Sequence, residues 1–172
     1  MSNISRIPDN RNFLSPLSFD FNIFKTPNMN YFVQSANIPG ISLGIATVST
    51  PFNIIKFSGD KITYSDLNVT MRVDEELRNY YEIFNWMMSI SRNKSFVGYA
   101  SVANAGLGEG VFSDATLTVL SSAKTPIARI NYLNMFPTQL SDLIFDSKDT
   151  TVNYLDAIVT FAYERYEIEY LL

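Results

Sequence analysis

The sequence predicts an α+β fold: a predominantly antiparallel β-sandwich or barrel flanked by one α-helix over about residues 74–91. Two observations carry this reading. Period-two alternation recurs on both sides of a single helical period, so the order is strands, one helix, a Gly-rich segment, then strands. The aromatic content is 13 Phe and 10 Tyr against one Trp, rings that suit pleated surfaces.

Residues 1–16 are polar, with Pro8 and Pro16 and little periodicity, and read as an extended arm or a frayed terminus. Residues 17–172 read as a single domain, with no convincing internal repeat. Phe19 to Phe24 alternates as a first strand, Lys25-Thr26-Pro27-Asn28 is a turn, and Tyr31 to Ala36 is expected as the hairpin partner, closed by Asn37-Ile38-Pro39-Gly40. Residues 41–61 hold Gly44, Pro51 and Gly59 among Ile, Val, Thr and Phe, too interrupted for a central strand. They read as a projecting hairpin or edge arm, with Ile54-Ile55-Lys56-Phe57 as one limb, or as a loop packed on its own core. An apolar arm would need a partner or become an aggregation edge.

The stretch from Gly59 to Met88 organises the chain. Leu67 to Val73 alternates without a slip. At Asp74 the period changes: Asp74, Glu75 and Glu76 suit the positive end of a helix dipole, and Asp74 is expected to cap. Leu77, Tyr80, Tyr81, Phe84, Met87 and Met88 then recur at helical spacing as an apolar face. Arg92 and Lys94 bring cations near the C-terminal end. Residues 95–113 carry four of the seven glycines and read as a loop. Residues 114–120 and 127–133 read as strands, the second ended by Phe136-Pro137-Thr138; Leu143-Ile144-Phe145 is a short apolar run and residues 146–150 a polar turn. The last strand is expected to be the longest. Leu155, Ala157, Val159, Phe161 and Tyr163 share one face, and Ile158, Ala162, Tyr166 and Ile168 make the other partly apolar.

Composition excludes much chemistry. With no Cys and no His there is no disulfide, no thiol nucleophile, no His base and no ordinary zinc site. The absence of Cys fits a reducing compartment. A net charge of −4 argues against tight DNA binding, which is normally basic, and leaves room for a surface that DNA slides past. No apolar run approaches the roughly 20 residues that span a bilayer, and no signal peptide is expected. Gly106-Leu107-Gly108-Glu109-Gly110 lacks the Lys-Ser/Thr of a phosphate loop. Asp142, Asp146 and Asp149 lack the frame of a calcium loop and read as a solvated turn. No catalytic, cofactor-binding or metal-binding residue is assigned, and the chain reads as a non-enzyme.

Residues 31–40, then Gly59-Asp60-Lys61 leading into the Leu67–Val73 strand and its acidic sequel, resemble the tail tube fold of contractile-tailed bacteriophages. Phe136-Pro137-Thr138, followed by residues 140–146 and 151–166, is similar to the closing strands of T4-type tail tube proteins, so the resemblance runs from about Phe19 to Ile168. It implies a small barrel or sandwich with one helix, similar to the type VI secretion tube protein. It also implies six-membered rings around a channel, stacking of rings, a surrounding sheath, and DNA passing through the lumen without specific binding. The expected location is the virion tail, assembled in the host cytoplasm, with no membrane. The Asn-Ile-Pro-Gly and Gly-Asp-Lys motifs also resemble the tail completion and sheath-stabilising branch, so the position is either a repeating tube ring or a terminal ring contacting sheath or neck proteins. On this reading the subunit and ring interface falls on Ile41, Leu43, Ile45, Val48, Phe52, Ile54, Phe57, Ile158, Tyr166 and Ile168. The rival is a monomeric β-sandwich, enzymatic or glycan-binding, using Tyr99, Tyr132 or Tyr154 to stack on sugars.

Overall fold

A computed structural model describes residues 12–91, 110–148 and 153–171. In chain order the elements are β1 (Phe19–Ile23), α1 (Pro27–Tyr31), β2 (Val33–Ala36), β3 (Ile41–Ser49), β4 (Ile54–Tyr64), β5 (Leu67–Arg72), α2 (Arg78–Ile90), β6 (Ser113–Leu120), β7 (Pro126–Leu140), β8 (Asp156–Ala162) and β9 (Arg165–Tyr170). The expected α+β class stands. All pairings are antiparallel. Seven strands form one sheet in the order β1-β6-β7-β8-β5-β2, with β9 also on β7, while β3 and β4 pair only with each other.

The long strand β7 belongs to two halves of this sheet. Its first half lies between β6 and β9, and its second half lies beside β8. The sequence reading ended this strand at Phe136-Pro137-Thr138; it continues instead to Leu140, after a kink at Asn134. Asn134 sits at φ 54, a left-handed conformation Asn tolerates better than most residues. The expected single closing strand is likewise two, broken at Tyr163-Glu164 into β8 and β9. Both breaks occur at one corner. Glu164 N–H donates to the Leu133 carbonyl at 3.0 Å, and the Asn134 amide donates to the Glu164 carboxylate. The corner folds the two sheet halves over a shared core.

Alternation supplies that core. Phe21, Ile23, Ala115, Leu117, Ile130 and Tyr132 come from one half; Leu67, Val69, Met71, Ala157, Val159 and Phe161 come from the other. Helix α2 adds Ile83 and Trp86, whose ring centroid lies 6.1 Å from that of Phe161.

Four other expectations change. The Lys25–Asn28 turn opens into α1, with Pro27 pre-set for its first turn. The Asn30 side chain bonds both N–H and C=O of Ile23, ending β1 as a strand neighbour would. The chain then crosses to the other sheet half, so β2 pairs with β5 and β1 with β6, and the expected β1–β2 hairpin does not form. Helix α2 starts at Arg78, not at Asp74. Asp74 to Leu77 is a turn closed by Leu77 N–H to the Asp74 carbonyl, Leu77 is left-handed, and no acid lies in the first helical turn. Asn79 joins strand to helix instead: fully buried, it donates to the Arg72 carbonyl at 2.7 Å and accepts from Asp74 N–H at 3.2 Å. The buried face of α2 is therefore Asn79, Ile83 and Trp86, with Tyr80 and Met87 beside them; Leu77, Tyr81 and Phe84, expected inside, are exposed. The predicted C-terminal cations and most of the Gly-rich segment lie outside the described residues, as do residues 1–11 of the arm.

Candidate assembly surface

Strands β3 and β4 form a hairpin that carries nothing into the core. Directly paired residues share a face. Ile41, Leu43 and Ile45 therefore lie with Tyr64, Ile62 and Ile54 on one face, and Ala46 and Val48 lie with Phe57 and Ile55 on the other. Both faces carry exposed apolar side chains, the first also Thr47, Ser49, Lys56 and Ser58, and both hairpin edges are without a strand neighbour among the described residues. This is the projecting arm, not the packed loop.

The tip is held by its own bonds. Thr50 N–H donates to the Asn53 carbonyl at 2.8 Å, Asn53 N–H to the Thr50 hydroxyl at 3.1 Å, and Ile54 N–H to the Asn53 side chain at 2.8 Å. Phe52 stands on this turn fully exposed. Midway, the register shifts at Gly44, opposite residues 59–61. A Cβ on Gly59 would meet the Gly44 carbonyl oxygen at 2.5 Å and its carbon at 2.7 Å, and these are backbone atoms that cannot rotate away. Gly59→Ala is expected to force the two strands apart at the bulge, at a local cost of about 1–3 kcal/mol. Thermal melting should show the core transition unchanged while hydrogen exchange rises across β3 and β4.

Four tyrosines anchor the root. Tyr166 donates to the Pro39 carbonyl at 3.2 Å and Tyr163 to the Ser65 carbonyl at 2.8 Å, one on each side of the hairpin base. Their rings meet Tyr64 and Tyr132 at centroid distances of 5.3–5.9 Å and each other at 6.1 Å. Tyr132 is fully buried, and its hydroxyl has no partner among the described residues. Burial first, then Tyr163 and Tyr166, pushes its pKa above the ordinary tyrosine range. Tyr163 is pushed up to about 12, by burial and then by Tyr166, Asp66 and Tyr64. A phenol whose folded pKa lies above its unfolded value of about 10 favours folding below that pH; the contribution is lost as pH rises toward the folded value. Stability is therefore expected to fall between pH 10 and 12. Tyrosinate absorbance should develop in two phases, the later one coinciding with unfolding by circular dichroism; in Tyr163→Phe the fall should be shallower.

Seven of the ten sequence-predicted interface residues thus gather on the hairpin: Ile41, Leu43, Ile45, Val48, Phe52, Ile54 and Phe57, all exposed. Ile158 is half-exposed on the outer face of β8, and Ile168 on edge strand β9, away from this group. Tyr166 turns inward to the root cluster. Ile62, not named from sequence, and Ile55, named there only within the limb and not as an interface residue, complete the hairpin faces, and the outer aromatics of α2, Tyr81 and Phe84, stack at 6.4 Å.

The outer face of the β1-β6-β7-β9 half is different. It presents Asp20, Asn22, Thr116, Thr118, Asn131, Glu167 and Glu169. Its cations are already paired: Arg129 with Glu169 at 3.8 Å, and Arg165 with Glu164 at 3.1 Å and Glu167 at 3.2 Å. Of the tyrosines expected to stack on sugars, Tyr132 is sealed in the core, Tyr154 is 72% exposed with the Arg72 guanidinium 4.9 Å from its ring centroid, and Tyr99 lies outside the described residues. Among the described residues no three acids group as a metal site.

A family model described as "Phage tail tube protein" matches residues 6–169. The chain is 29% identical over 140 residues to the tail tube terminator protein of Enterobacteria phage T4, covering 79% of this chain and 76% of that one. Two solved structures share the fold. One is the tube-terminating cap of the anti-feeding prophage, at 16% identity, with 99% of each chain covered and a TM-score of 0.63. The other is the sheath/tube terminator of the PVC extracellular contractile injection system, extended state, at 17% identity, with 93% and 99% covered and a TM-score of 0.63.

Proposed function

As the chain belongs to the phage tail tube protein family, we propose that it forms a six-membered ring closing the end of a contractile tail tube. At the coarser level it is a non-enzymatic structural protein, a tube or tube-terminator component of a contractile phage-type tail. Residues 17–172 act as one domain and residues 1–16 as an arm. The observation that carries the ring is the β3–β4 hairpin. Two faces with exposed apolar side chains and two free edges are a liability on a lone subunit and are relieved when copies cover one another. The terminal position is supported by the likeness to a tail tube terminator over most of the chain. A terminal ring would stack on the tube on one side and meet sheath or neck proteins on the other.

The outer face of the β1-β6-β7-β9 half is the best candidate for the lumen. Acids, amides and hydroxyls dominate it, and both its arginines are neutralised by neighbouring acids. Phosphates passing such a wall would meet only paired arginines among its described residues, so DNA would move without specific binding. Assembly in the host cytoplasm and residence in the virion tail follow from this role.

The test is localisation in intact tails, with native mass spectrometry of the purified protein. Antibody label confined to one end of the tube, with a sixfold mass, supports the reading. Label along the whole tube makes the chain a repeating ring, and a stable monomer removes the ring altogether.

A further inference from the structure

The apolar hairpin tip has a matching hole on the same chain. Between the edge strands β1 and β2, where the two sheet halves fail to meet, lies a cavity of about 290 Å³. Its wall is mainly apolar, with Leu14, Phe19, Ala36, Ile38, Leu117 and Val119 beside Ser15 and Ser18, and among the described residues no charged side chain lines it. An apolar cavity of roughly 150 Å³ is enough to take up benzene, so this one has room for a phenyl ring. Leu14 of this wall is exposed, as are Phe13 and Leu17 near it in sequence. The tip, Thr50-Pro51-Phe52-Asn53, is also uncharged, and its turn is bonded into one shape before any partner arrives.

Resting on the ring-forming reading, we propose that Phe52 of each copy inserts into the β1–β2 cavity of a second copy. Position argues for this. Ile38 in the cavity wall is three residues before β3, so the hole lies at the root of the hairpin whose tip carries the knob. Nine residues of β3 at about 3.3 Å each separate the two by about 30 Å. A chain cannot fill its own hole across that distance. Because knob and hole are different surfaces, the contact is head-to-tail, the type that closes into rings when the rotation permits. Nine large apolar side chains of the hairpin are exposed, Ile41, Leu43, Ile45, Val48, Ile54, Ile55, Phe57 and Ile62 around Phe52, a patch of the kind that marks an association surface. Phe52 would be the buried anchor, and the hairpin faces the surrounding contact.

The chain has no cysteine, which makes a clean cross-link possible. A double variant, Ser18→Cys with Pro51→Cys, places one thiol at the rim of the hole and one beside the knob while keeping Phe52. Within one copy these thiols are too far apart to join, so each disulfide links two copies. After mild oxidation, a non-reducing gel should show a ladder ending at the closed ring, whereas each single variant stops at dimers. Native mass spectrometry of the same reduced sample separates the outcomes. Rings without a ladder overturn the knob-and-hole contact and leave the ring standing; a monomer overturns both. In the wild-type background, Phe52→Ala should weaken self-association at least tenfold and Phe52→Leu less; equal loss or no loss in both would also count against the anchor.

Discussion

Ile54→Asp and Phe57→Asp chains are expected to fold and to stop assembling. The two residues sit on opposite faces of the hairpin, since Ile54 pairs with Ser49 and Phe57 with Ala46. Neither contributes to the core, so each exchange is a surface substitution for the isolated subunit and should move its stability by no more than about 0.5 kcal/mol. In an assembly the result is different. A carboxylate closed into an apolar contact without a partner costs several kcal/mol, and every 1.4 kcal/mol is a factor of ten in affinity. Self-association should fall by about a thousandfold for a face that is covered by a neighbour. The far-UV spectrum and melting temperature should stay as in the unmodified chain, while native mass spectrometry shifts to monomer. Testing the faces separately adds information. Loss in only one variant marks the covered face, and intact rings in both would show that the hairpin is not an interface.

The local physics of this chain was legible where one rule governed one segment. Leu67 to Arg72 alternates, is half-buried, and pairs residue for residue with β8. The interruptions at Gly44, Pro51 and Gly59 spoke against a central strand, and those residues form the bulge and tip of a free hairpin. Legibility failed where a tertiary partner chose between local options. Asp74-Glu75-Glu76 has the charge of a helix start, but the Asn79 amide claims the backbone of Arg72 and Asp74, and the helix begins only after that turn. The hydrophobic pattern of α2 carries two apolar faces, and periodicity alone cannot say which is inside; Trp86 and Ile83 decide it by meeting the sheet. Corners were the least visible feature. A chain passing from one sheet half to the other keeps its alternation, so neither the extension of β7 through Pro137 nor the split at Glu164 left a signature beyond one Asn and one Glu. At the candidate assembly surface, sequence singled out residues that the structure leaves exposed on one hairpin because they are too apolar for their context. It also included Tyr166, whose ring packs inward among other tyrosines. Apolarity by itself does not reveal whether the neighbour that covers a residue belongs to the same copy.

The largest effect on the fold itself is expected from Trp86→Ala. Trp86 is 3% exposed, packs on Phe161, donates its indole N–H to the Val111 carbonyl at 3.0 Å, and lies under the Lys25 ammonium at 5.2 Å. It is thus the point where helix α2 is attached both to the sheet and to the segment leading into β6. Truncation opens a cavity that the rigid strands around Phe161 cannot close, and it leaves the Val111 carbonyl without its donor. The cost should be about 3–5 kcal/mol. For a domain of this size that lowers the melting temperature by about 10–15 °C. Trp86→Phe keeps most of the volume and loses the hydrogen bond, so about 1–2 kcal/mol is expected. Calorimetry on the three chains checks the order. A Trp86→Phe chain as unstable as Trp86→Ala would mean that the indole bond to Val111, rather than packing on the sheet, holds the helix in place. Because the hairpin shares no core with Trp86, chains that remain folded below their lowered melting point should still self-associate as the unmodified chain does. This separates the anchoring of the helix from the surface proposed to join the copies.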